Sequence, residues 1–374
     1  MLLNLVLDTL KSNKKLREEG KDITIPFPFP RFSQYIPGIQ KRRYYIVTAN
    51  SKVGKTKLAD FLFVYTPLLY TKTNKTNIKI KILYFSLEMS KEDKVGELIS
   101  HLLYIRKNIK ISADLMDSVY KHYILENDVL EAIEEIKPEV EDFLQHIVFY
   151  DNIRNPFGIY KAVREYAHTH GHYEDTDGNI LNTEYIEKGT NDEAKKIFRY
   201  VPDDPDEFVI VITDHVSLLT PEKGGTLHDA IGNFSSQYCL HIRDRWDYIV
   251  VNVQQQAAAQ EGVDNYQNNM LRPSANGLGD NKLTGRDCDF LIGLFAPIRF
   301  RKETWEGYNI KIMKDSFREI SLILNRRGSP AISGLYFDGV TNYFLELPPA
   351  EEMDNDKYDK LLKFKDNGLR GIKK

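Results

Sequence analysis

The feature that most constrains the fold is residues 44–62, where an apolar run is followed by a short polar loop and helix-compatible sequence. The run YYIVT is typical of a strand, and KLADFL fits the first turns of an amphipathic helix. The loop between them, ANSKVGKT, matches the phosphate-binding pattern G-x-x-x-x-G-K-[ST], except that Ala49 replaces the first glycine. A loop of this kind between a strand and a helix favours an α/β fold.

The same loop predicts a nucleotide site. Backbone N–H groups of the loop and the helix N-terminus point at a polyphosphate, where the helix dipole favours negative charge. Lys55 can reach the β- and γ-phosphates, the Thr56 hydroxyl can coordinate Mg²⁺, and Gly54 allows a close turn of the backbone. We therefore expect ATP and Mg²⁺ as cofactors. The expected binding residues are Asn50, Ser51, Lys52, Val53, Gly54, Lys55 and Thr56.

Composition sets further limits. The chain has 374 residues, of which 28% are charged and 42% hydrophobic, as in a soluble globular protein of one large or two small domains. A net charge of −3 excludes a wholly basic protein, so any nucleic-acid contact must come from a local patch. Cys239 and Cys288 lack motif spacing, and no stretch can span a bilayer or act as a signal peptide. We expect no membrane contact and a cytoplasmic location, in the host cytoplasm if the chain is virus-encoded.

Strands and helices alternate after the loop. Strands are predicted at 79–86, 147–150, 208–213, 248–253 and 289–295, and alternating antiparallel strands at 320–347. Helices are predicted at 91–106, 114–136, 156–169 and 228–246. The expected fold class is α/β, with a mostly parallel central sheet and antiparallel strands at the C-terminal edge.

The sequence predicts four regions. They are an amphipathic helix at 1–20, a Pro-rich linker at 21–43, the main domain at 44–348 and a charged tail at 349–374. The first helix is either a loose arm or an arm that packs on a neighbouring subunit. Within the main domain, residues 172–207 are acidic and poor in apolar residues, which indicates a surface insertion.

Four polar residues follow predicted strands, at the sheet edge where ligands bind in open α/β folds. Asp214 comes directly after 208–213 and can hold Mg²⁺ through water, or it can be a turn aspartate. Glu88 can activate the attacking water, or it can stabilise the next helix N-terminus. Gln254 and Gln255 can sense the γ-phosphate, or cap their strand.

The three histidines His168, His170 and His172 suggest a metal site. They stand at a predicted helix end with no cysteine nearby, before the acidic insertion. We interpret them as part of a solvated loop.

The order of these motifs resembles the RecA-type motor domain of DnaB-like replicative helicases, over about residues 26–347. The matching segments are Asn50–Thr56, Phe85–Ser90 (FSLEMS), Asp214, Gln254–Gln256, Leu278–Asn281 with Asp287–Asp289, and Asn325–Pro330.

The resemblance implies a role for each candidate residue. Glu88 would be the catalytic base, Asp214 the Walker B aspartate and Gln255 the sensor. Arg327 would be an arginine finger that acts on the nucleotide of a neighbouring subunit. Arg326 would replace the lysine that accompanies the finger in the family, where this chain has Asn325.

Other departures from the family weaken the DNA-binding part of the resemblance. With only about forty residues before the motor region, we expect no counterpart of the family's N-terminal domain in this sequence. The DNA-contacting arginine of the family is Gly279 here, which leaves Lys282 and Arg286 as the nearby cations.

The resemblance implies an ATP-dependent DNA helicase motor. It would form a homo-oligomeric ring, expected to be a hexamer, hydrolyse ATP at subunit interfaces and move on single-stranded DNA, held by loops within 257–287. Primase or a loader protein would be further partners. The alternatives are a RecA-like ATPase that binds DNA or protein without unwinding, and a nucleotide-binding loader with weak hydrolysis.

Overall fold

The computed structural model describes residues 2–181, 199–268 and 270–366. Its strands are β1 Arg43–Ala49, β2 Lys79–Ser86, β3 Ile147–Tyr150, β4 Gly171–Glu174, β5 Ile180–Leu181, β6 Arg199–Pro202, β7 Glu207–Asp214, β8 Ile249–Gln255, β9 Phe290–Phe295, β10 Thr304–Trp305, β11 Tyr308–Asn309, β12 Phe317–Asn325, β13 Ala331–Asp338 and β14 Tyr343–Glu346. Its helices are α1 Leu2–Glu18, α2 Lys55–Asp60, α3 Thr66–Thr73, α4 Lys91–Lys107, α5 Ala113–Met116, α6 Asn127–Gln145, α7 Pro156–Thr169, α8 Leu227–Asn233, α9 Leu240–Trp246, α10 Val263–Gln267, α11 Thr284–Asp287, α12 Ile310–Met313 and α13 Asn355–Asp366. None of the described helices is long and apolar enough to cross a bilayer.

A nine-stranded sheet in the order β14-β13-β12-β9-β1-β8-β7-β2-β3 forms the centre of the described structure. The six strands from β9 to β3 are parallel, whereas β12, β13 and β14 are antiparallel. The inner parallel strands are buried along almost their whole length, with apolar clusters on both faces. Continuous apolar runs are expected for strands covered on both sides. The predicted fold class is therefore confirmed.

The helices differ from the predicted ones in two places. The predicted helix 114–136 is two helices, α5 and α6, separated by a turn in which Ser118 has a φ of 53°. A left-handed residue cannot continue a right-handed helix, so α5 ends there. The predicted helix 228–246 is present, but it passes through a π-helical turn at Phe234–Cys239 between α8 and α9.

The segment predicted as a Pro-rich linker packs into the core. Phe27, Phe29 and Phe32 are almost completely buried in the same cluster as the central strands. Ile25 and Ile39 exchange backbone hydrogen bonds of 3.0 and 2.8 Å, which close the segment into a loop. The prolines keep it extended, and its aromatic side chains make it part of the domain.

The predicted acidic insertion and the charged tail are both partly described. The insertion contributes a three-stranded sheet, β5-β4-β6, whose Tyr173 hydroxyl accepts a hydrogen bond of 2.7 Å from the indole of Trp246. The tail contains α13, and the Lys110 ammonium donates to the Phe364 carbonyl of this helix at 2.8 Å. The rest of both predictions, at 182–198 and 367–374, lies outside the described residues.

Replacing Phe29 should show that this proline-rich segment stabilises the domain. The side chain is fully buried and stacks on Phe61, so Phe29→Ala should lower the free energy of unfolding by about 3–5 kcal/mol. Tyr35→Ala is the control in the same segment, because Tyr35 is exposed and its loss should change stability by less than about 0.5 kcal/mol. Urea denaturation measures both values, and equal stabilities would contradict the prediction.

Candidate active site

The carboxyl ends of four neighbouring parallel strands form one edge of the central sheet. Their order is β1-β8-β7-β2. The phosphate loop follows β1, Gln255 ends β8, Asp214 ends β7, and Glu88 lies two residues after β2. Ser86 pairs with Asp214 in register, so these two strands end at the same level. The fold thus brings together candidate residues that lie far apart in the sequence.

The phosphate loop makes its turn at Gly54, which has a φ of 107°. This left-handed conformation favours glycine, and a Cβ atom there would also make a tight contact of 3.3 Å with the Phe337 ring. Ala49, in contrast, lies within β1, pairs with Gln255 and Leu294 and is fully buried. It has no positive φ, which explains why this position does not need glycine.

The loop leaves polar atoms available for a ligand. Unlike Lys57 and Lys94, which pair with carboxylates, Lys55 is buried without an ion pair among the described residues. Neither amide atom of Asn50, which is also buried, has a hydrogen-bond partner within the described ranges. A polyphosphate would supply the negative charge that Lys55 lacks and hydrogen-bond partners for the Asn50 amide, so these groups fit such a ligand.

Two arginines hold the backbone of the phosphate loop. The buried Arg318 guanidinium donates to the Val53 carbonyl at 2.8 Å, and Arg299 donates to the Ser51 carbonyl. These contacts fix the backbone whose N–H groups would face the phosphates.

Thr56 and Asp214 meet at the start of α2. The Thr56 hydroxyl donates to Asp214 Oδ1 at 2.9 Å, and Asp214 is fully buried. Hydroxyl and carboxylate oxygens are the ligands that Mg²⁺ prefers, and Mg²⁺ is usually held by few protein groups together with water and phosphate oxygens. The donor set therefore fits Mg²⁺, with Thr56 and Asp214 as the residues that would hold it.

A buried ion cluster adjoins this pair. Lys94 Nζ lies 2.9 Å from Asp60 Oδ2 and 3.4 Å from Asp214 Oδ2, and the Tyr84 hydroxyl donates to Asp60 Oδ1 at 2.7 Å. Burial alone would lower the pKa of Lys94, because it disfavours the charged ammonium. Attraction to the carboxylates of Asp60 and Asp214 is the stronger effect, so the pKa of Lys94 lies above its usual value. Burial also raises the pKa of Asp60, although Lys94 opposes this. At neutral pH the lysine carries its charge.

Glu88 stands at the open side of the site. Its side chain is about half exposed, and its Oε2 lies 3.3 Å from His215 Nδ1. Burial, reinforced by the Lys55 ammonium, lowers the pKa of His215, which also interacts with Gln255. His215 has a φ of 64°, an uncommon backbone conformation for a residue other than glycine.

The three consecutive glutamines have different contacts. Gln254 donates to the carbonyls of Gly279 and Asn281, and Gln256 donates to Thr48 and the Ser274 carbonyl, at 2.8 to 3.1 Å. Both are buried and tie the following loop to the sheet. Gln255 lies between them and interacts with His215 at the candidate site.

The two candidate arginines lie at the other edge of the sheet. Asn325 at the end of β12 pairs with Phe290 at the start of β9. Phe290 in turn pairs with Tyr45 near the start of β1. The phosphate loop follows the far end of β1, which at about 3.3 Å per residue places it more than about 13 Å away. Arg326 and Arg327 are therefore not brought to the phosphate loop of their own chain.

These arginines differ in their contacts. The Arg326 guanidinium donates to the Cys288 carbonyl at 2.8 Å and to the Arg286 carbonyl. Arg327 is exposed, and its guanidinium makes no hydrogen bond or ion pair with any part of the chain that the structure describes. Arg326 is thus held by its own chain, whereas Arg327 can reach another molecule.

The histidines near 170 do not converge. His168 contacts the Tyr173 hydroxyl, His170 stacks on Tyr166, and His172 lies 3.4 Å from Glu174. Within the described residues no group of three or more metal-ligating side chains is found.

The sequence patterns do not point to five residues of the site: Asp60, Lys94, His215, Arg299 and Arg318. For Asp60 a signal existed, since it follows Thr56 by four residues and must share its helix face. Lys94 and Arg318 look like surface cations in the sequence, and only their burial reveals their contacts.

Comparisons with known proteins support the fold. No family model matches the sequence, and no curated protein matches it either. A solved structure of a DnaB-like replicative helicase, reported with its interactions with primase, is similar at a TM-score of 0.63 and 16% identity, covering 91% of this chain and 67% of that chain. A second solved structure, of an isolated ATPase domain, is similar at a TM-score of 0.64 and 16% identity, covering 92% of this chain and 99% of that chain. The chain therefore has the RecA-like α/β fold of helicase ATPase domains, and it resembles DnaB-like replicative helicases.

Proposed function

We propose that this protein is an ATP-hydrolysing ring motor that moves on single-stranded DNA and unwinds duplex DNA as a helicase. The observation that carries the proposal is the convergence of Lys55, Thr56 and Asp214 at one sheet edge, with Glu88 and Gln255 beside them. The fold of helicase ATPase domains supports the same conclusion.

Each residue has a role that its surroundings permit. Lys55 binds the β- and γ-phosphates, and Thr56 with Asp214 holds Mg²⁺. When bound, Mg²⁺ would neutralise the negative charge of the phosphate oxygens. Glu88, exposed at the open side, accepts the proton of the attacking water. Gln255 would contact the γ-phosphate. Its neighbours Gln254 and Gln256 connect the end of β8 to the loop that contains Ser274 and Gly279.

Assembly into a ring, expected to be a hexamer, would complete the site. Arg327 lies away from its own phosphate loop, so it can act only on the nucleotide of a neighbouring subunit. Helix α1 exposes Leu3, Val6, Leu7 and Leu10 at helical spacing, which gives a stripe that a neighbouring subunit would cover.

Loops within 257–287 would hold the DNA backbone. Lys282 and Arg286 are exposed there and can contact phosphates without reading bases. Primase or a loader protein would be a further partner of the ring.

One observation favours the alternative, a RecA-like ATPase without unwinding activity. Gly279 stands where the family has a DNA-contacting arginine, and a Cβ atom there would lie only 2.8 Å from the Gln255 carbonyl oxygen. The position cannot accept a side chain without a shift of the backbone, so any DNA contact must come from other residues.

Lys55→Ala should abolish nucleotide binding, because the buried ammonium is the cation that would neutralise the β- and γ-phosphates. Lys57→Ala is the matched control, since Lys57 lies on the same helix and pairs with Glu97 of α4. Titration with a fluorescent ATP analogue measures both affinities. Unchanged affinity in Lys55→Ala would remove the basis of the proposal.

ATPase activity measured with and without single-stranded DNA, beside unwinding of a forked duplex, tests the proposed function. Stimulation by DNA together with strand separation is the expected result, and stimulation alone would favour the alternative. Glu88→Gln is the control for contaminating enzymes. It should keep nucleotide binding and lose turnover by on the order of 10²–10⁴-fold, the usual contribution of a general base.

A mixing experiment tests Arg327. Arg327→Ala and Lys55→Ala subunits should each be inactive alone, because an arginine finger contributes roughly 10³–10⁵ in turnover. In mixed rings some interfaces join an intact phosphate loop to an intact Arg327, so ATPase activity should partly return. If mixed rings form, as shown by cross-linking, and activity does not return, Arg327 does not act across the interface.

A further inference from the structure

Asp60, Lys94 and Asp214 form a buried charged cluster behind the phosphate loop. Their side chains are 2%, 3% and 0% exposed. Asp60 lies on α2 one turn beyond Thr56, Lys94 on the first turn of α4, and Asp214 at the end of β7. The cluster thus joins the helix that follows the phosphate loop, the helix that follows Glu88, and the strand that carries the candidate Mg²⁺ ligand.

The two oxygens of Asp214 have different partners. Oδ1 accepts the Thr56 hydroxyl at 2.9 Å. Oδ2 is buried and accepts no hydrogen bond among the described residues, and the Lys94 ammonium lies 3.4 Å from it. No other ion pair to Asp214 is found within the described ranges. The position of Oδ2 therefore depends on Lys94.

Asp60 in turn fixes the position of Lys94. Its Oδ2 accepts from Nζ at 2.9 Å, while its Oδ1 is held by the Tyr84 hydroxyl at 2.7 Å. Nζ also lies 5.1 Å from the centre of the Tyr84 ring, at cation–π distance. The ammonium thus contacts Asp60, Asp214 and the Tyr84 ring. These three contacts hold it in one place, so it can act as a rigid support for Asp214.

We propose that Lys94 is a positioning residue that holds the Asp214 carboxylate for Mg²⁺ together with Thr56, with Asp60 as the anchor of Lys94. This inference rests on the proposed nucleotide site. Groups that support a metal-binding carboxylate commonly determine metal affinity, because they fix the direction in which its oxygens point. The same ammonium also compensates the charge of Asp214 in a site closed to water.

The test compares nucleotide affinity with Mg²⁺ and with EDTA, using a fluorescent ATP analogue on the full chain. The readout is the gain in affinity that Mg²⁺ produces. Lys94→Met should reduce this gain by on the order of 10- to 100-fold and leave affinity in EDTA unchanged. Asp60→Asn should reduce the gain too, but by less than Lys94→Met, because Lys94 loses its charged anchor and still pairs with Asp214.

Two further variants separate positioning from folding. Lys94→Met leaves two buried carboxylates without a cation and can unfold the chain, so Asp60→Asn is combined with it to remove one of these charges. The double variant should melt at a higher temperature than Lys94→Met, because only Asp214 remains without a cation, and it should still lack the Mg²⁺ gain. Glu97→Gln is the matched control, since it breaks an ion pair between the same two helices without contacting Asp214.

A double variant with the full Mg²⁺ gain would overturn the inference, because Lys94 would then serve only to pair with Asp60. Equal loss of affinity with and without Mg²⁺ would overturn it too, since that indicates general damage to the loop. If the wild-type chain itself shows no Mg²⁺-dependent nucleotide binding, the proposed function fails first. The two failures are therefore distinguishable.

Discussion

The hydrogen bond from the Thr56 hydroxyl to Asp214 is the contact on which the rest of the site depends. It joins the helix after the phosphate loop to a strand two places away in the sheet. Because β1, β8, β7 and β2 are parallel neighbours, their registers place the phosphate loop, Gln255 at the end of β8 and the segment with Glu88 at the same edge as this contact. Parallel strands bring residues that are distant in the sequence to one edge of the sheet, and the candidate residues of this chain lie at that edge.

The burial of charged side chains is a second constraint on the site. Asp214 and Asp60 are closed to water, and Lys94 between them supplies the positive charge that makes this possible. Lys55 is also buried, yet it faces no carboxylate among the described residues. One lysine is thus committed to the protein and the other is available to a ligand, which is the distinction expected between a supporting residue and a binding residue.

The residues proposed for DNA binding differ in their placement from those proposed for ATP hydrolysis. The residues assigned to hydrolysis lie together in one chain, whereas Arg327 and the loops within 257–287 require neighbouring subunits or DNA to act. Gly279 is packed against the Gln255 carbonyl and has no room for a side chain. The chain therefore departs from the resemblance at Gly279, while its candidate ATPase residues converge.

The sequence by itself determined the fold class, the phosphate loop and the strand ends that carry Glu88, Asp214 and Gln255, because apolar runs and Gly54 are local signals. It could not show that residues 25–39 belong to the core, since prolines predict an extended chain whether or not its aromatic side chains are buried. Nor could it identify Lys94, which resembles any helix-surface lysine. Only the tertiary structure shows that Lys94 lies between Asp60 and Asp214, because the energy of a buried charge depends on which distant carboxylates the fold places beside it.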